Sequence, residues 1–154
     1  MKRKKRTGYI IGIVLLLGIL AIIYGYIEFN RKNSSISNEQ PDYILNTNEL
    51  LEAFNTNEEA ATKKYNGKIL QVTGMIKSAE QQPDNGLMIV LGDHSSSSSV
   101  QCSIDSSFVP EASKRISLNQ VIHIKGICTG YLADDSGLGI GSDVILNRCV
   151  IVKL

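Results

Sequence analysis

Tryptophan is absent from this 154-residue chain, and histidine (2), cysteine (3), proline (3) and phenylalanine (3) are scarce. The spacings that build metal and nucleophilic sites are missing too: there is no CxxC, no HExxH and no Cys/His pair at ligand spacing. His123 and Cys128 are placed so that an extended strand turns them to opposite faces. Asp93, His94 and Ser95 are triad residue types, but contiguous neighbours cannot converge as a triad does. The glycine-rich run SGLGIGSD (136–143) lacks the Lys-Ser/Thr of a P-loop and leads into a strand instead of opening a helix. These gaps predict a non-catalytic protein without a metal or cofactor. No cysteine precedes Cys102, which excludes a lipid anchor at an N-terminal cleavage point. A net charge of only +1 with 43% hydrophobic residues argues against a basic nucleic-acid binder and against a disordered chain.

What is present is strongly partitioned. Residues 1–6 carry five of the 16 Lys+Arg, as Lys2, Arg3, Lys4, Lys5 and Arg6, and no acid. Residues 7–27 carry no charge and 16 hydrophobic residues, whereas 28–154 hold all 15 Asp+Glu and a net charge of −4. A 21-residue helix spans about 31 Å at ~1.5 Å per residue, which matches the ~30 Å hydrocarbon core. Tyr9 at one end, and Tyr24 and Tyr26 at the other, suit the headgroup level. The sequence therefore predicts an uncleaved transmembrane helix over 7–27, with the bilayer as a partner. The basic tail stays in the cytoplasm and everything beyond the helix lies outside it, in the periplasm if the cell is Gram-negative. Residues 28–44 are read as a linker and 45–67 as a helical lead-in. In the lead-in Asn46/Glu49 and Thr56/Glu59 have capping-box spacing, and Gly67 acts as a stop.

From Lys68 the pattern alternates. Strands are expected over 68–77, 87–92, 100–105, 121–132 and 143–154, with a short helical connection within 106–117. Five strands with a small helix between the third and fourth is the order of an OB-fold, a Greek-key barrel, so 68–154 is expected to be mainly β with that architecture. In such a barrel the fifth strand lies between the third and fourth, which leaves Cys149 able to neighbour either Cys102 or Cys128.

Tyr65, Gly67, Lys68, Val72-Thr73-Gly74, Gly126, Cys128, Gly130-Tyr131, Asn147 and Cys149 together resemble the tRNA_anti-like family over about Leu51 to Val152. These are bacterial OB-fold proteins, often with an N-terminal membrane helix. Because Cys128 and Cys149 both fall in the motifs of that resemblance, they are the expected disulfide pair in an oxidising compartment. The family name suggests a single-stranded nucleic acid, but the residues do not favour one. Residues 66–154 carry seven Lys+Arg against eight Asp+Glu, and their aromatics are Phe108 and Tyr131. The loops that rim an OB site bring Glu80, Asp84, Asp134 and Asp135, so the expected binding rim is acidic, with Tyr131 beside it. A periplasmic haem chaperone with one anchor and an OB-fold is an alternative, since it attaches haem through a His with a Tyr four residues later. Here Ser98 follows His94 and Ile127 follows His123 at that distance, which removes the chemistry. The sequence thus predicts a membrane-anchored OB-fold module that binds a protein, peptide or small ligand outside the cytoplasm.

Overall fold

The computed structural model describes residues 18–19, 36–83, 85–114, 116–134, 139 and 141–152. The basic residues Lys2–Arg6 and the expected membrane helix lie outside these, apart from Gly18 and Ile19, which are helical. Among the described residues no helix is long and apolar enough to cross a membrane. The chain divides into two compact units, 1–34 and 35–154, and the second is described below.

A 3-10 turn, Ile36–Asn38, precedes strand β1 (Tyr43–Asn46), helix α1 (Thr47–Thr56) and helix α2 (Glu58–Tyr65). There follow β2 (Ile69–Gln81), β3 (Leu87–Leu91), β4 (Ser99–Ile104), the short helix α3 (Val109–Ala112), β5 (Val121–Leu132) and β6 (Asp143–Ile151). The sheet order is β1-β2-β3-β4-β6-β5, and β2 also pairs with β5. Strands β2, β3, β4, β6 and β5 therefore close a five-stranded barrel, mainly β with short helices, in the order expected for an OB-fold. β6 runs parallel to β4 and antiparallel to β5.

Each strand is placed by its alternation. Leu70 and Val72 of β2, Ile89 and Leu91 of β3, Val100 and Cys102 of β4, Ile124 and Cys128 of β5, and Val144 and Leu146 of β6 are fully buried. The long β2 serves two barrel neighbours besides β1: Ile69–Met75 pair with β5, and Ile76–Gln81 pair with β3 across an irregularity at Ile76/Ser78. Gly74 lies at this changeover, next to the start of α1. A Cβ there would collide with Thr47 Oγ1, which donates to the Thr73 carbonyl at 3.1 Å. The missing side chain at position 74 thus lets the helix seat on the strand.

The lead-in is ordered by its caps. Asn46 Oδ1 accepts from the Glu49 amide at 2.8 Å, and the Asn46 amide donates to Glu49 Oε2 at 3.0 Å, a reciprocal capping box. This aims Leu50, Leu51 and Phe54 into the barrel core. The second helix is capped differently from the expected Thr56/Glu59 box. Thr56 is still helical, and the extended backbone of Asn57 lets its Oδ1 accept from Ala60 at 2.9 Å, while Glu59 pairs with Lys63 on the surface. Gly67, at φ 74°, ends the segment and donates its N–H to the Cys128 carbonyl at 2.8 Å.

Residues 36–44, the described part of the expected linker, carry the 3-10 turn and the first half of β1. Ile36 is buried, and β1 pairs in parallel with Leu70–Thr73 of β2. Asp42 closes the junction, its carboxylate accepting from the Ile69 amide and its own N–H donating to the Ile69 carbonyl, both at 2.8 Å. β1 occupies the stretch of β2 that β3 does not reach, so its backbone groups complete that edge.

Candidate binding face

The outer surface of β3, β4 and β6 is formed by the alternate residues that the core does not use. Val90 stands opposite Gln101, Met88 opposite Ser103, and Gln101 opposite Ile145; all five are half-buried. Glu80 extends this surface from β2, opposite Met88. At the other end Asp143 is tied down by Ser99 Oγ and by Gln101 Nε2, the latter at 2.7 Å, so its carboxylate links β4 to β6. No Lys, Arg or aromatic residue stands among these positions, which offer amide, hydroxyl and carboxylate groups among aliphatic side chains; Arg148 follows at the bulged end of β6 near Asp105.

The structure places the expected rim residues apart. Glu80 is exposed near the β2–β3 turn, close to the end of β4, whereas Asp134 follows β5 near the start of β4. The length of β4 separates them, about 17 Å at ~3.3 Å per residue. Asp134 has a structural partner, since its carboxylate accepts from the Gly141 amide at 3.4 Å, and its N–H donates to Ser142 Oγ at 3.3 Å. Tyr131 faces the lead-in. Its ring stacks on Phe54 with centroids 4.9 Å apart, and its hydroxyl donates to Asn55 Oδ1 at 2.6 Å. Asp84 and Asp135 lie outside the described residues.

All three cysteines are buried free thiols, and the expected Cys128–Cys149 pair is unbridged. The reason lies in the strand register. Cys128 is opposite Leu146, and the β5–β6 pairing is irregular where Arg148 adopts φ 56°. Cys149 consequently tucks over Gly126, where a Cβ would come within 2.5 Å of its Sγ, and its side chain meets Cys102 on β4. Burial pushes both the Cys128 and Cys149 thiols above the ordinary cysteine range, which holds them protonated and unreactive.

The two histidines stand on separate parts of the barrel. His94 Nε2 lies 2.7 Å from Asn119 Oδ1, and His123 Nδ1 lies 2.8 Å from Thr73 Oγ1. Lys77 donates to the carbonyls of Ser96 and Ser98 at 2.8 and 3.5 Å, fixing the serine-rich turn between β3 and β4. Sequence reasoning missed a different residue. Lys125 points outward from β5, yet it is only 6% exposed because the Ile36–Asn38 turn covers it. Its long separation in sequence from that turn left no local signal.

Comparisons with known proteins found a family and structural neighbours. The tRNA_anti-like family model matches residues 1–140. A Klebsiella pneumoniae protein described as a "putative nucleic acid-binding lipoprotein" is 17% identical, with a TM-score of 0.53 over 79% of this chain and 98% of its own. Aspartyl-tRNA synthetase from Entamoeba histolytica is 15% identical, with a TM-score of 0.42; the match covers 70% of this chain and 20% of the synthetase. No curated protein sequence matches the chain.

Proposed function

The chain belongs to the tRNA_anti-like family, and from that premise we propose that it is a membrane-anchored, extracytoplasmic, non-catalytic module that binds a protein or peptide on the outer face of β3, β4 and β6. The observation that carries this reading is the composition of that face: Met88, Val90, Gln101, Ser103 and Ile145, without a cation or a ring. Single-stranded nucleic acid is held by basic grooves and stacked bases, and its affinity rests on phosphate neutralisation. These five positions supply neither, and the described β6 adds a single cation, Arg148, at its bulged end. An aliphatic centre with amide and hydroxyl donors around it has the chemistry of a protein contact surface. The basic Lys2–Arg6 and the uncharged 7–27 support an anchor with the barrel outside the cytoplasm. The Klebsiella neighbour's description as a lipoprotein supports attachment to a membrane by the same kind of domain.

The family name and that neighbour's description favour a nucleic-acid reading, and one experiment separates the two. Fluorescence anisotropy of labelled single-stranded DNA and RNA with the full-length protein, at low salt, is expected to show no saturable binding. Saturable, salt-sensitive binding of either oligonucleotide would overturn the protein-binding proposal.

A further inference from the structure

A second site lies on another part of the barrel wall. Between α3 and the ends of β5 and β6 there is a cleft of about 310 Å³, within the range of small-molecule sites. Phe108, Ala112, Val150 and Val152 form much of its apolar lining, Lys125 enters it from β5, and Ser37 and Glu111 also line it. Lys125 is an unusual wall residue. Its side chain is 94% shielded, and its ammonium donates to the carbonyls of Ser37 at 2.8 Å and Glu39 at 2.6 Å. An ammonium has three donors, and among the described residues no carboxylate pairs with this one. Shielding a cation is costly, and an anion that reaches it from the cleft lowers that cost.

We infer that this cleft binds a small monocarboxylate with an apolar or aromatic body. The carboxylate accepts the remaining hydrogen of Lys125, and the body lies against Phe108, Val150 and Val152. The site is separate from the β3–β4–β6 face and does not depend on the partner proposed there.

The test uses the full-length protein in detergent micelles, with 4-fluorophenylacetate as probe and ligand-observed fluorine NMR as readout. The expected result is saturable binding, with 4-fluorophenylacetamide about tenfold weaker or more, as the loss of a charge-assisted contact implies. Lys125→Met should abolish the preference for the acid. Because that variant also releases the Ile36–Asn38 turn, Val152→Trp provides an independent check: it fills the cleft, keeps Lys125, and should remove binding while the thermal transition is retained. Non-saturable binding by the wild type, equal affinity for acid and amide, or undiminished binding by folded Val152→Trp would each overturn the inference.

Discussion

The lead-in that packs on the barrel and the open face of β3, β4 and β6 make opposite use of their residues. Around α1 and α2, Phe54 stacks on Tyr131, Tyr43 meets Tyr65 edge-on with centroids 5.2 Å apart, and the Lys64 ammonium lies 4.9 Å from the Tyr65 ring centre. The open-face positions Met88, Val90, Gln101, Ser103 and Ile145 include no ring and no cation, and Arg148 follows at the bulged end of β6 near Asp105. Aromatic and cationic groups, which an OB-fold would need to stack bases and hold phosphates, are here committed to fastening a helical segment to the barrel. The difference teaches that the barrel serves as a scaffold for the lead-in while its other wall is left open, the wall proposed above to meet a protein partner.

The comparison predicts unequal sensitivity to substitution. Phe54→Ala removes a fully packed ring from the barrel end and should cost about 3–5 kcal/mol in urea denaturation. Ser103→Ala on the open face should change stability by less than about 0.5 kcal/mol. A similar loss from both would erase the distinction between a structural lead-in and a free face. Gly74→Ala sharpens it further: the new methyl meets Thr47 Oγ1 and lies 3.1 Å from Leu91 Cβ, so the start of α1 must shift. About 1–3 kcal/mol is expected by thermal or chemical denaturation, the usual range for overpacking.

A smaller effect comes from the buried thiols. The pKa of Cys149 in the folded protein lies above the unfolded value of about 9, so its contribution to stability is complete below that pH. It is lost as the pH rises further, because the unfolded chain then releases a proton that the folded chain retains. The melting temperature should fall above pH 9, and Cys149→Ala should flatten that fall relative to its own lower baseline. The smallest effect is at the acid end. The Ser107 amide and hydroxyl donate to Asp105 at 3.0 and 2.7 Å and hold its carboxyl below the ordinary value. Ser107→Ala should slightly weaken the protein near neutral pH, and the difference from wild type should shrink as the pH drops below about 3.8.

The periodic parts of this fold were legible in the sequence because strand alternation and helix caps are local. Leu70/Val72, Val100/Cys102 and Val144/Leu146 mark their inward faces, and Asn46 with Glu49 announces α1. β1 was not legible. It has four residues, with Tyr43 and Leu45 turned inward but Ile44 66% exposed on the other side, and its pairing depends on a gap that β3 leaves beside β2. The thiol neighbours were hidden for a related reason, since the irregularity at Arg148 slides Cys149 over Gly126. Of the expected site, Tyr131 was read as part of a rim because its partner Phe54 lies far away in sequence. Lys125 was passed over because nothing near it in sequence shows that Ile36–Asn38 folds across it.

The central claim, that the β3–β4–β6 wall is a protein-binding surface, is tested most directly by placing a photo-crosslinking benzoylphenylalanine at Ser103 and, as a control, at exposed Lys63 on α2. Irradiation of cells expressing each full-length variant should give a discrete, protease-sensitive adduct from position 103 and none of matching size and yield from position 63. A nuclease-sensitive adduct at 103, or the same adducts from both positions, would contradict it.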